Sequence, residues 1–270
     1  MIFSYAVKPG IIPEQGDFSS RRAVKMKLPY FFRIIPVVLL LSLAACSAFQ
    51  HTPTPHGEVK GADVNGKEMV QSDTNRVATL GMQANLDSLY RLMDKLYRRN
   101  PAECKKTGAD RDDCMKKVKE AIAGRKDWPG LQGQRDIKAL SLALKPEFDG
   151  DRVAAFIYGA ADMIITAHGG KTEFFLVDSL DAQFVFNAAR NIEIASWLLA
   201  SRHNVAGRSL LLSDEIGDTA RNLSFEREFG KIVGRLDLLA SFVTEKYRRA
   251  GIGYVQNLFG GTFLQFLPVR

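Results

Sequence analysis

Two groups of residues in this 270-residue chain are of types and spacings that could do chemistry. The first is the cysteines. Cys46 closes an apolar run and is followed by Ser47 and Ala48. A thiolate can attack an alkyl donor directly, so a lone cysteine in that place is a candidate for covalent modification. Cys104 and Cys114 are spaced too widely for a Cys-x-x-Cys redox or zinc motif. The second group is a set of polar residues, Asn187, Arg190, Asn191 and Glu193, in an otherwise apolar stretch. Helical steps put Glu193 one turn beyond Arg190, within reach of an ion pair. Charges on a central helix must be paired or must face a cleft. Asn187, Arg190 and Glu193 therefore form either a polar network reaching Glu226 or Glu228, or the polar spot of a ligand pocket.

The residues ahead of Cys46 explain its place. Met26 opens MKLPYFFRIIPVVLLLSLAAC, with Lys27 and Arg33 before an apolar core over 34–43 and small residues at its end. That is the layout of a secretory signal peptide over 26–45, too short in its apolar core for a permanent membrane span. Leu43-Ala44-Ala45-Cys46 resembles the lipobox of bacterial lipoprotein precursors. The resemblance implies a diacylglyceryl thioether on Cys46 and cleavage just before it. Two or three acyl chains, at about 0.8 kcal/mol per buried methylene, hold a protein on a membrane far more firmly than one. In the enterobacterial pattern a residue other than Asp after the cysteine, here Ser47, implies the outer membrane, facing the periplasm. The inner membrane and the cell surface are the alternatives. Residues 1–25 read as an over-extended start or a disordered leader. Ser20-Arg21-Arg22 fits a twin-arginine export signal poorly because of the residues that follow it.

Processing would also change the charge. The full chain has 37 basic and 30 acidic residues. Removing the segment before Cys46 takes away six basic and two acidic groups and leaves 31 against 28. A near-neutral domain gives no reason to expect a nucleic-acid partner. Export also places the two remaining cysteines where disulfides persist, and Cys104 and Cys114 are expected to be bonded. The bridge would staple a corner around Gly108, between a helix start at Asn100-Pro101, with Glu103 reaching back, and a second start at Asp110.

The elements that must position these residues are mainly helical. A flexible, lipidated tether rich in Pro, Gly and Thr is expected over 46–72, carrying His51 and His56 as solvated residues. One domain of five or six helices is expected over 73–270. Met82, Leu86, Leu89, Met93, Leu96 and Tyr97 line one face of a helix over 75–99. A helix over 152–168 begins near Asp149 or Asp151 and ends before Gly169-Gly170, which places His168 at a negative helix terminus that favours its cation. The stretch 181–202 is apolar on most sides and reads as the central helix. The last helix runs from Asn222 to about Arg249, with the basic run 246–249 opposing its dipole and with Gly230 and Gly234 suiting a close helix contact. Short strands or extended loops are expected at 174–177, 209–212 and 262–267.

No hydrolase elbow, zinc-protease helix or phosphate loop is present. Gly251-Ile252-Gly253 lacks the third glycine of a dinucleotide loop. The acidic run 213–218 lacks the spacing of a calcium loop and reads as an exposed turn. No cofactor or metal is expected. The stretches 172–178, 188–197 and 222–231 are similar to proteobacterial lipoproteins of no known activity, which implies a defined family and no mechanism. These readings point to a non-enzymatic, membrane-anchored envelope lipoprotein that docks a partner assembly or supports the envelope. The alternatives are a carrier or sensor of a hydrophobic ligand and a motif-free envelope hydrolase.

Overall fold

Helix α1, Asp73–Arg99, begins where Ser72 accepts a hydrogen bond from the Asn75 amide. The computed structural model describes residues 52–54, 57–59, 66–217 and 221–264, with side chains for 66–217 and 221–258. Cys46, the lipobox, the signal segment, His51, His56 and residues 265–270 lie outside them. The chain divides into two compact units, 1–64 and 65–270. Within the first, β1 (Thr52–Thr54) pairs antiparallel with β2 (Gly57–Val59).

The second unit is mainly helical, with seven α-helices among the described residues. After α1 come α2 (Pro101–Cys104), α3 (Arg111–Ala123), α4 (Asp136–Ala143), α5 (Arg152–Ala167), α6 (Ala182–Ser201) and α7 (Ser224–Leu264). A two-residue pair, β3 (Glu215–Ile216) with β4 (Arg221–Asn222), precedes α7. Short polar side chains start several of these helices by accepting from backbone amides left without a partner inside the helix. Asp110 does so for Asp113, Asp151 for Ala154 and Asp181 for Gln183.

Helix α5 is the centre. Fourteen of its sixteen residues are buried, and α1, α3, α4 and α6 pack around it. Five of the buried residues are small: Ala154, Ala155, Gly159, Ala160 and Ala161. A Cβ on Gly159 would come within 3.2 Å of Ala139 Cβ and of the Leu140 amide nitrogen, so glycine is what lets α4 approach. The central position expected of 181–202 is therefore corrected. Helix α6 buries one face, but Phe184, Phe186, Ile194 and Trp197 are exposed. Bulky apolar residues suggested a covered helix, whereas small ones on every side allow one.

Helix α7 packs its first half between α1 and α6. Lys95 Nζ donates to the Ser224 carbonyl, Arg91 meets Glu228, and Arg235 reaches Asn85 and Ser88, so α1 and α7 run antiparallel. The helix does not stop near Arg249 but continues to Leu264. The basic run 246–249 is thus mid-helix, and Arg248 and Arg249 pair with Glu245 rather than capping a terminus. A Cβ placed on Gly230 or Gly234 would meet nothing within 4 Å, so the close contact expected there is absent.

Other expectations are corrected locally. Residues 66–72, expected in the tether, are folded against the domain. Gly66–Val70 forms a 3-10 turn, the Val70 carbonyl accepts from Leu176, and Gln71 Nε2 donates to the Phe174 carbonyl at 2.8 Å. Residues 174–177 form a turn and 262–264 are helical, while Ser209 makes a lone bridge with His203. His168 is 1% exposed, its Nδ1 lies 2.7 Å from the Ile164 carbonyl, and its ring is tilted against Phe174. Burial pushes its pKa below the usual value and outweighs that hydrogen bond, so the ring is neutral and not the expected cation.

Candidate functional site

The Cys104–Cys114 disulfide is present, with its Cα atoms 5.9 Å apart. It closes the corner between α2 and α3. A Cβ at Gly108 would fall 2.9 Å from Cys114 Sγ and 2.6 Å from Asp113 Oδ2, so the corner admits only glycine without a shift. Glu103 does not reach back to its own helix start. Its Oε2 accepts from the Arg152 amide at 2.7 Å and from Lys106, which links the stapled corner to the head of α5. Beside it, Tyr97 donates to Asp151 at 2.8 Å. Burial and the adjacent Asp151 carboxylate drive the Tyr97 hydroxyl pKa upward, which makes it a fixed donor.

The α6 polar cluster separates in three dimensions. Arg190 Nη2 lies 2.6 Å from Asp237 on α7 and 3.2 Å from Glu193. Its guanidinium also sits 5.0 Å from the Phe186 ring centroid. The expected partners are engaged elsewhere. Glu226 accepts from Ser196, and Glu228 accepts from Arg91 and Lys231. Asn187 points away from this network. It accepts from Gln183 at 2.8 Å and, with Asn191, lines a cleft of about 330 Å³ between α4, α5 and α6. Arg190 and Glu193 thus belong to a helix–helix tie, and only the two asparagines face a cavity.

A second hollow, of about 600 Å³, lies by the disulfide corner between Lys106, Lys117, Trp128 and Asp151. Its lysines are engaged. Lys106 binds Glu103 and the Gly150 carbonyl, and Lys117 binds Asp113 and the Thr107 carbonyl. The acidic run near 214 also proves structural: Asp214 accepts from the amides of Phe225 and Glu226, both at 3.1 Å, and so caps α7. Among the described residues no group of His, Cys, Asp or Glu is placed to hold a metal ion, and no helix is long and apolar enough to cross a membrane.

The remaining feature is the surface that α7 presents. Val243 is its last buried side chain among those described. Beyond it Tyr247, Ile252, Tyr254 and Val255 are exposed, Tyr254 by 73%. At 1.5 Å per residue, positions 244–264 extend about 30 Å. On a 3.6-residue helix Tyr247, Gly251, Tyr254, Val255 and Leu258 share one side, while Lys246, Arg249, Gln256 and Asn257 share the other. Trp197, 65% exposed on α6, and Leu238, 70% exposed on α7, add apolar surface. Periodicity pointed to a helix here but not to its continuation past the glycines, because glycine lowers helix propensity without forbidding it.

Compared with known proteins, the chain matches no family model, no curated protein and no solved structure.

Proposed function

We propose that this protein is a bacterial envelope lipoprotein, held on a membrane through acyl chains on Cys46, whose helical domain docks an envelope partner protein without catalysing a reaction. The observation that carries the docking half is the apolar side of α7 beyond Val243. Exposing Tyr247, Tyr254 and Val255 on one side of an extended helix costs about 25 cal/mol per Å² of apolar surface left in water, which an apolar partner surface would recover. Amphipathic helices laid in a groove are a recurrent mode of protein recognition. The anchoring half rests on the lipobox-like Leu43-Ala44-Ala45-Cys46 and the apolar run before it. The outer membrane, with the domain facing the periplasm, is the location that Ser47 favours.

Radiolabelled palmitate should appear on the protein, and Cys46→Ser should abolish the label and move the protein out of the membrane fraction. A protein that fractionates identically with and without the sulfur would rule out the anchor. Docking is tested separately, by placing a photo-crosslinking residue at Val255 in intact envelopes. A discrete heteromeric adduct is expected, lost on Tyr247→Ser/Tyr254→Ser. No adduct, or one unaffected by those changes, would remove the docking reading and leave the anchor standing.

A further inference from the structure

One end of the helical domain holds apolar side chains in water on two turns. Met69 on the Gly66–Val70 turn is 85% exposed and Val177 on the turn over 174–177 is 93% exposed. Val70 and Leu176 beside them are exposed as well. The backbones beneath these tips are fastened to each other and to α1. The Leu176 amide donates to the Val70 carbonyl at 2.9 Å, and Gln71 Nε2 donates to the Phe174 carbonyl at 2.8 Å. The Phe174 amide donates to Thr79 Oγ1 at 3.1 Å while its ring is buried, and the Phe175 amide donates to Asp178 Oδ2 at 2.8 Å. Turns pinned in this way present the four apolar tips outward as one patch. The charges around them are paired: Lys67 with Glu173 at 3.0 Å, Arg76 with Glu68 at 2.8 Å, and Lys171 with Asp178.

The place of the patch in the chain says what would cover it. Gly66, the first residue of its first turn, follows Cys46 by only the 19 residues 47–65. Even fully extended, that length of chain reaches at most about 70 Å. With acyl chains on Cys46, the two turns are therefore the part of the domain tied most closely to the bilayer. Contact with the lipid is then intramolecular, so a small apolar surface is enough to make it persist.

Helix α7 leaves the domain at the same end. Arg235 meets Asn85, so twelve residues further along α7 and twelve back along α1 bring Tyr247 level with Asp73. Thr244 and Tyr247 accordingly border a hollow with Ser179 and Asp181, just after the second turn. The run 250–269 that follows contains no charged residue. A helix can lie in the headgroup layer along such a run without stripping water from a charge.

We propose that this end of the domain is a second membrane contact, in which Met69, Val70, Leu176 and Val177 dip into the interfacial layer of the bilayer that holds Cys46. The inference rests on the lipid anchor proposed above. Lipid takes up the four side chains that the chain's own core leaves out, and the paired charges around them make the contact apolar, with no need for anionic headgroups. It fixes how the domain stands on its anchor. The partner that meets Tyr247 and Tyr254 is then one that lies at the same membrane.

The test uses the full-length lipidated protein in vesicles of phosphatidylethanolamine and phosphatidylglycerol. An environment-sensitive NBD dye is attached to Val177→Cys or, as the comparison, to Val205→Cys. Val205 is fully exposed but follows the far end of α6, about 30 Å from its start. Lipid carrying a nitroxide near the headgroup should quench the dye at 177 at least about threefold more than at 205. The difference should persist in 1 M sodium chloride, where exposed charges are screened within about 3 Å. With the dye at Met69→Cys instead, Leu176→Ser/Val177→Ser should reduce quenching at least about twofold. Mass spectrometry of the same samples reads the acyl chains. Acyl chains with equal quenching at 177 and 205, or with quenching lost in salt, would overturn this inference and leave the anchor standing. A dye at 177 shielded in intact envelopes but not in pure lipid would mean that a protein covers the turns, and would overturn it too. Absence of acyl chains would remove the anchor and this inference with it.

Discussion

Helix α5 and the distal part of α7 are both rich in residues that avoid water, yet one is enclosed and the other exposed. In α5 the apolar side chains Phe156, Ile157, Ile164 and Ile165 are spaced around a backbone of alanine and glycine, and helices close on it from several sides. In α7 beyond Val243, Tyr247, Tyr254 and Val255 share one side of the helix and stay exposed, while Ile252 lies on another. Hydrophobicity sets how much surface seeks cover. Side-chain size and the reach of neighbouring elements decide whether it finds cover within the chain. The comparison predicts that substitutions in α5 are expensive for folding, whereas substitutions in the α7 extension leave folding intact and change only what the protein contacts.

The largest effect is expected at Phe156, which is fully buried and meets Phe229 edge-to-face at 6.3 Å. Phe156→Ala should cost about 3–5 kcal/mol, read as a fall in the urea midpoint. A loss below about 1 kcal/mol would mean that α5 is not the centre. Next is the Cys104–Cys114 staple. With a sequence separation of 10, reduction or the Cys104→Ser/Cys114→Ser pair should cost about 3 kcal/mol by loop-closure entropy. Calorimetry with and without reductant measures it.

How much of this was legible in the sequence differs from region to region for physical reasons. Helix α1 was readable because its buried residues repeat at three and four, and the starts at Asp110, Asp151 and Asp181 were marked by local capping chemistry. The disulfide followed from an even pair of cysteines in a chain expected to be exported. Information carried by distant segments was not readable. His168 stood at a helix end that favours a cation by well under about 2 kcal/mol, but Phe174 arrives from the following loop and the ring is shut away from water. The partner of Arg190 depended on the register of α6 against α7, which placed Asp237 opposite it rather than Glu226 or Glu228.

Two charged or titratable groups sharpen the contrast at intermediate magnitude. Glu228, 7% exposed in its side chain, is opposed by burial but held at a pKa of about 2 by hydrogen bonds from Lys231 and Arg91. Its unfolded pKa is near 4.5, so its contribution is complete above that pH and is lost as pH falls from 4.5 towards 2. Glu228→Gln should cost about 2 kcal/mol at neutral pH, since both partners are half-exposed and screened, and should flatten that part of the acid limb. His168 acts earlier. Its lowered pKa means that stability is lost as pH falls below its unfolded value of 6.5. His168→Phe keeps a ring beside Phe174 and should remove the pH dependence that begins there, a change of about 1 kcal/mol seen in melting temperature between about pH 7 and pH 5.5.

The smallest effect on stability is expected where the comparison is most at risk, in the α7 extension. Tyr247→Ser/Tyr254→Ser replaces two exposed aromatic groups on a segment with no buried side chain among those described. If that surface serves only an external partner, the unfolding free energy should move by less than about 0.5 kcal/mol, with the urea slope unchanged because the folded core exposes the same area on unfolding. A fall of about 2 kcal/mol or more would mean that these residues are covered by the chain's own segments in solution. The apolar side of α7 would then be part of the fold, on the same footing as α5, and would offer no surface to a partner.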